Sequence, residues 1–275
     1  MHVGMLTAPF RKDDLGTVVE FASEAGFAAL EIACRPGCAH LDVTDYDAAE
    51  VTGMVSEAGL EISSLACYVD ITHADPQQRQ ANRDALRLAL EACAAMQVDT
   101  LCCLAGLPPN GKSREDTIRD DASPFFNELC RDAAADGINL AMENWFATNI
   151  QHLGHWDLIF ETCPAPNFGL NYDPSHLVWM GIDYLYAVEK FADRIFHTHA
   201  KDTEIRQHVL RYRGNQDYDH FRYVIPGYGV IDWGEYVARL RDNGYDGVLS
   251  IEHEDRAVGR EEGFIKGLRH LKQFC

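Results

Sequence analysis

Eight short apolar runs recur along the chain, separated by longer stretches in which apolar residues return every three or four positions. The runs cover 2–6, 28–33, 61–68, 99–106, 138–144, 168–173, 195–200 and 247–254. They are nearly continuous rather than alternating, which predicts strands buried on both faces, the mark of a parallel sheet. Amphipathic periodicity predicts helices over 13–25, 44–58, 76–96, 114–135, 154–162, 182–191, 233–243 and 258–272. Gly26, Gly59, Gly137 and Gly244 each stand where a helix should stop just before the next strand. Most strand-to-strand intervals are near thirty residues, the length of one βα unit. Eight such units predict a closed (β/α)8 TIM barrel, with an open doubly wound sheet as the fallback. No linker or low-complexity stretch divides the chain, so residues 1–275 are expected to form a single domain.

One interval breaks the rhythm. Residues 201–232, "KDTEIRQHVLRYRGNQDYDHFRYVIPGYGVID", lie between the seventh strand and its helix. A connection this long inside a compact domain is usually functional. Its Arg and Tyr content suggests a lid loop, about 203–228, over the barrel mouth. Arg206, Arg211 or Tyr212 are expected near a bound substrate.

Charge narrows the partners. Asp plus Glu outnumber Lys plus Arg by 43 to 24, a net charge of −19, and no local run of basic residues offsets it. Such a surface repels phosphate backbones and anionic membranes. No segment approaches the ~20 apolar residues of a membrane span, and the first residues lack a long apolar run. A cytoplasmic protein is expected. The nine cysteines fall mostly in apolar runs, where a reduced thiol behaves as a small hydrophobe. "CRPGCAH" (Cys34, Cys38, His40) has no second ligand pair with zinc spacing, so a metal knuckle is set aside.

In a barrel of this kind chemistry gathers at the C-terminal ends of the strands. Those ends carry Glu31 on the second strand, Glu143 on the fifth and Asp173 with His176 at the sixth. The seventh carries His197 and His199, and the eighth Glu252 and Glu254. Singly, each reads as a rim or interior residue. Together, Glu143, Asp173, His199 and Glu252 come from four consecutive strands. Three converging carboxylates without a cation would repel and be costly to desolvate, and a divalent ion removes that cost. Three oxygens and one imidazole suit Mn²⁺ best, with Mg²⁺, Co²⁺ or Zn²⁺ as alternatives. His197, two residues before His199 on the same strand face, is expected one layer lower, orienting a neighbour.

The motifs "MENW", "NYDPSH", "HTHAKD", "PGYGVIDW" and "GYDGVLSIEHED" resemble the xylose isomerase-like barrel superfamily over essentially the whole chain. More narrowly they resemble its sugar phosphate isomerase/epimerase group, which includes ketose 3-epimerases, inosose dehydratases and endonuclease IV. The resemblance implies metal ligands Glu143, Asp173, His199 and Glu252. His176 is then expected on a substrate oxygen, with Trp145, Arg206 and Glu31 also at the sugar. It implies a homo-oligomer, dimer or tetramer, acting on a small carbohydrate. The expected reaction is epimerisation or isomerisation of a keto-sugar through a metal-bound cis-enediolate, with Glu143 and Glu252 as paired acid and base. "HAKD" departs from the ketose 3-epimerase pattern. Lys201 is therefore a candidate acid or enediolate stabiliser, or else the partner of Asp202 in a plain salt bridge. Dehydratase or lyase action on an inosose or 3-keto-sugar is the runner-up. Endonuclease IV-like DNA repair is remote: its three zincs need further histidines, "CLAGLPPNG" has none, Asp217 with His220 lack the Asp-x-His pattern, and the net charge of −19 opposes DNA. No phosphate cradle stands out, which favours a non-phosphorylated sugar.

Overall fold

Eight parallel strands close on themselves in a computed structural model that covers all 275 residues. They are β1 (His2–Leu6), β2 (Ala29–Ala33), β3 (Glu61–Cys67), β4 (Thr100–Leu104), β5 (Asn139–Glu143), β6 (Phe168–Tyr172) and β7 (Ile195–Ala200), followed after an excursion by the last barrel strand. The excursion is an antiparallel hairpin of β8 (Asp202–Ile205) and β9 (Phe221–Val224), and β10 (Val248–Ile251) then completes the barrel between β7 and β1. This is the (β/α)8 barrel that the periodicity predicts.

Strand alternation sorts the side chains into two environments. Val3, Met5, Leu30, Ile32, Leu65, Leu101, Leu140, Leu170 and Leu249 face outward and form the main apolar core against the surrounding helices. Small and polar residues fill the barrel itself. Leu6, Ala66, Cys102 and Ala141 form a separate small cluster there. Beside it, Ser250 donates to Glu31 (2.7 Å), and His197 contacts both Asn171 Oδ1 (3.0 Å) and Ser63 Oγ (3.1 Å). Eight of the nine cysteines are buried or half-buried, all as free thiols; Cys38 contacts the Ala33 carbonyl and His40 the Phe10 carbonyl.

Much of the acidic composition goes to helix starts. Asp14, Asp47, Asp75, Asp183 and Asp232 each accept a hydrogen bond from a backbone N–H in the first turn of the helix they precede. The four predicted glycine stops all take positive φ, from 71° to 88°. The helix predicted at 114–135 departs from regularity: a π turn at Ile118–Ala122 precedes Pro124, which has no N–H to give to the turn before it.

The 203–228 segment is not a simple loop. Its strands pair from Asp202↔Val224 to Ile205↔Phe221, and a helix at Gln207–Arg213 sits at the tip. Trp179 stacks on Phe221 at a centroid distance of 4.3 Å and fastens the hairpin to the barrel. Asp202 anchors its base. This buried carboxylate accepts from the backbone N–H groups of Thr203, Gly227, Gly229 and Ile231 and from the Trp233 indole, at 2.8–3.1 Å. A Cβ on residue 229 would lie 2.1 Å from Asp202 Oδ1, so only glycine fits there. Asp202→Ala leaves five donors, three of them buried, without their acceptor and is expected to cost about 3–5 kcal/mol. Urea denaturation measures this, and an unchanged midpoint would mean that the donors find other acceptors.

Candidate metal centre and active site

Each member of the predicted tetrad arrives by a different local device. Glu143 is the last residue of β5, and His199 lies inside β7. Glu252 follows the end of β10, its backbone N–H donating to the Ala200 carbonyl. Asp173 follows β6 and caps the short helix Pro174–Val178, where its Oδ1 accepts from Ser175 N at 2.8 Å. That bond fixes the carboxylate and turns Oδ2 inward. Asn144 holds the same backbone from the neighbouring strand, donating to the Asp173 carbonyl and accepting from its N–H.

The four donor atoms lie within 4.8 Å of one another. His199 Nδ1 is 3.3 Å from Glu252 Oε2 and 3.7 Å from Glu143 Oε1. From below, His199 Nε2 is engaged by Asn171 at 2.9 Å, by Tyr68 at 3.1 Å and by Glu31 at 3.1 Å. Two buried atoms of the tetrad, Asp173 Oδ2 and His199 Nδ1, have no hydrogen-bond partner. Orphaned buried polar atoms are rare, and here both face one point. The surrounding charge agrees. Glu143, Asp173, Glu252 and Glu254 surround a single ammonium, Lys201, and Glu31 lies against His199. Burial disfavours a charged imidazole at His199, yet Glu31 and Glu252 raise its pKa well above the usual value. The site thus calls for positive charge at its centre, and these residues fit a divalent cation.

Lys201 is wholly buried. Its Nζ lies 2.5 Å from Glu252 Oε2, 3.1 Å from Asp173 Oδ2 and 3.3 Å from Glu254 Oε2, and 4.7 Å from the centre of the Tyr223 ring. Burial opposes the charge, but the carboxylates Asp173, Glu252 and Glu254 push the lysine pKa well above its ordinary value. The Lys201–Asp202 salt bridge considered from the sequence does not form: Lys201, between β7 and β8, turns to Asp173, Glu252 and Glu254, while Asp202 is taken up by backbone N–H groups and the Trp233 indole. Glu143 is likewise desolvated, and His176, His199 and Lys201 outweigh that burial to hold its carboxyl well below the usual range.

His176 Nε2 lies 3.2 Å from Glu143 and 3.4 Å from Asp173, while its Nδ1 contacts the Tyr223 hydroxyl at 2.6 Å. Trp145 is half-buried just past β5. Arg206 lines the open cleft beside the tetrad, whereas Arg211 and Tyr212 lie exposed at the hairpin tip. Glu31, expected at the sugar, is fully buried beneath His199 and Tyr68 and hydrogen-bonded to both. His197 lies one layer lower, as expected. Burial drops its pKa to about 4, and it contacts Asn171, which in turn reaches His199.

Sequence reasoning missed Tyr223 and Asn171. Asn171 was recoverable, since it shares a strand face with Asp173 two residues on. Tyr223 was not, because nothing local tells which hairpin side chain turns inward. Replacing residues 206–220 by a short turn is expected to lower kcat/KM ~tenfold or more while leaving the thermal midpoint nearly unchanged. Unchanged kinetics would make the hairpin a surface excursion.

The sequence model of the family described as "Xylose isomerase-like TIM barrel" matches residues 19–274. An inosose dehydratase of Geobacillus thermodenitrificans is 30% identical over 157 residues, 54% of this chain and 52% of that protein. Among solved structures, a zinc-bound IolI protein superposes with a TM-score of 0.78 at 18% identity, covering 100% of this chain and 99% of that one. The 3-keto-D-glucoside 4-epimerase YcjR of E. coli, in its apo form, gives 0.77 at 18% identity and 99% coverage of both chains. At such identities the structural likeness speaks for the fold alone. No helix is long and apolar enough to cross a membrane. With the family model spanning nearly the whole length and the closed barrel built as that model requires, this chain belongs to the xylose isomerase-like TIM barrel family.

Proposed function

We propose that this protein is a divalent-metal-dependent epimerase or isomerase of a keto-sugar, with Glu143 and Glu252 as the proton-transferring pair. The observation that carries this reading is the arrangement of the two glutamates. Both approach His199 Nδ1 within a buried tetrad whose Asp173 Oδ2 and His199 Nδ1 make no hydrogen bond and have only charged neighbours. A divalent ion held by Glu143, Asp173, His199 and Glu252 supplies Lewis-acid stabilisation of negative charge on the substrate's vicinal oxygens.

The chain's own groups do the rest. One glutamate takes the proton from the carbon beside the carbonyl, and the C–H electron pair moves into the adjacent C–C bond as the carbonyl oxygen gains charge. The other glutamate returns a proton to the opposite face of that carbon, which inverts it. Return to the neighbouring carbon gives isomerisation instead. His176 and Lys201 donate hydrogen bonds to the substrate oxygens as their charge grows. Tyr223 holds His176 in place through Nδ1.

A second reading is supported by the similarity to inosose dehydratase and by Lys201 itself. An ammonium buried beside Glu252 is placed to protonate a departing hydroxyl, which turns the same proton abstraction into dehydration. Incubating the Mn²⁺-loaded protein in D₂O with ketoses, 3-keto-sugars and inososes separates the cases. Deuterium at carbon with an inverted or isomerised product supports the proposal, and loss of water supports the dehydratase. Neither outcome across the panel rejects proton-transfer chemistry. Metal analysis is expected to return one divalent ion per chain, and three zincs would revive the nuclease.

A further inference from the structure

Beside the tetrad a cleft of about 870 Å³ opens on the same face of the barrel. Three segments distant in sequence wall it: the turn after β1, the hairpin and the loop after β10. They bring Arg11, Arg206, Arg222, Arg256 and Arg260 together against two carboxylates, Glu254 and Asp255. In a chain with a net charge of −19 this is a local concentration of guanidinium groups. No local run of basic residues announces it, because the five arginines are contiguous only in space.

The arginines divide into two kinds. Arg222 is neutralised by Glu204 and by Asp255 at 2.7 Å. Arg260 is bound by Asp13 at 2.6 Å and Glu261 at 2.5 Å, with its guanidinium 3.9 Å above the Phe10 ring. These two are fixed walls. Arg11 and Arg256 form no ion pair, and the one side-chain hydrogen bond of Arg206 goes to the Asp219 carbonyl at 3.4 Å. Their donors are free for a ligand. Tyr223 and Glu254 join this cleft to the reacting centre: both line it, Tyr223 contacts His176, and Glu254 contacts Lys201.

We infer that the keto-sugar carries an anionic group, a carboxylate or a phosphate, which the Arg11, Arg206 and Arg256 side chains receive while the carbonyl end sits at Lys201 and the tetrad. Guanidinium is suited to both oxyanions because its N–H fork matches their paired oxygens. This assignment rests on the proposed keto-sugar chemistry and specifies its substrate class. It departs from the non-phosphorylated sugar that the lack of a phosphate cradle in the sequence favoured.

Calorimetric titration of the Mn²⁺-loaded protein at low ionic strength with D-fructose, D-fructuronate and D-fructose 6-phosphate tests it. At least one anionic ketose is expected to bind ~30-fold or more tightly than D-fructose, and the stronger of the two names the oxyanion. The Arg11→Gln/Arg256→Gln double variant is expected to bring that ratio to within about threefold of one, whereas Arg11→Lys/Arg256→Lys keeps most of it. Both arginines are exposed, so the variants keep the fold. Equal affinity for the three ketoses, no binding by any of them, or a ratio that survives the Gln variant overturns the inference. Deuterium exchange on the same samples separates the two readings. An anionic preference without exchange keeps the arginine cleft and rejects the epimerase, and exchange without preference does the reverse.

Discussion

Glu143→Gln and Glu252→Gln are each expected to keep a bound divalent ion and to lose turnover by about three orders of magnitude. The amide oxygen of glutamine still coordinates, while a positioned general base contributes typically about 10²–10⁴-fold. Both glutamates are proposed ligands as well as proton carriers, so alanine variants would confound the two roles. Metal content measured beside turnover keeps them apart. Each variant is further expected to exchange the substrate proton from one face only. Full activity in Glu252→Gln would end the two-carboxylate scheme and make Lys201 or His176 the second proton carrier.

Lys201→Met is expected to lower kcat by about 10²–10⁴-fold. It is also expected to destabilise the chelated protein by about 3–5 kcal/mol. The ammonium is buried between Asp173 and Glu252 and also contacts Glu254, so its removal leaves neighbouring carboxylates without their counter-charge. Metal supplied in excess should restore much of the stability, because it brings positive charge to the same carboxylates. It should not restore turnover. Recovery of turnover along with stability would reduce Lys201 to a counter-ion.

The barrel was legible because its information is local. Apolar runs the length of a strand, recurring at one βα interval, leave few architectures, and glycine stops mark the boundaries. The tetrad was legible for a related reason, since strand ends in a barrel share one face. What failed was depth. Period two tells that Glu31 points inward, but how far below the mouth it lies depends on strand stagger: it pairs with Leu6 on one side and Ser64 on the other. The hairpin was hidden because its two strands are only four residues each, carry little apolar character in β8, and pair across fifteen intervening residues. The arginine cleft was hidden because no window of sequence contains it.

Asp202 and Lys201 sit side by side on the chain yet serve separate structures, and this has an evolutionary consequence. Asp202 takes its donors from residues flanking the hairpin and from Trp233, and none from the tip. The tip between Ile205 and Phe221 is therefore free to lengthen, shorten or change composition while Tyr223 and Lys201 keep their places beside the reacting centre. Chemistry and selectivity are inherited as separable parts. A hairpin tip transplanted from a relative between Ile205 and Phe221 should shift substrate preference through position 206 while Tyr223 and the proton-transfer centre stay as they are.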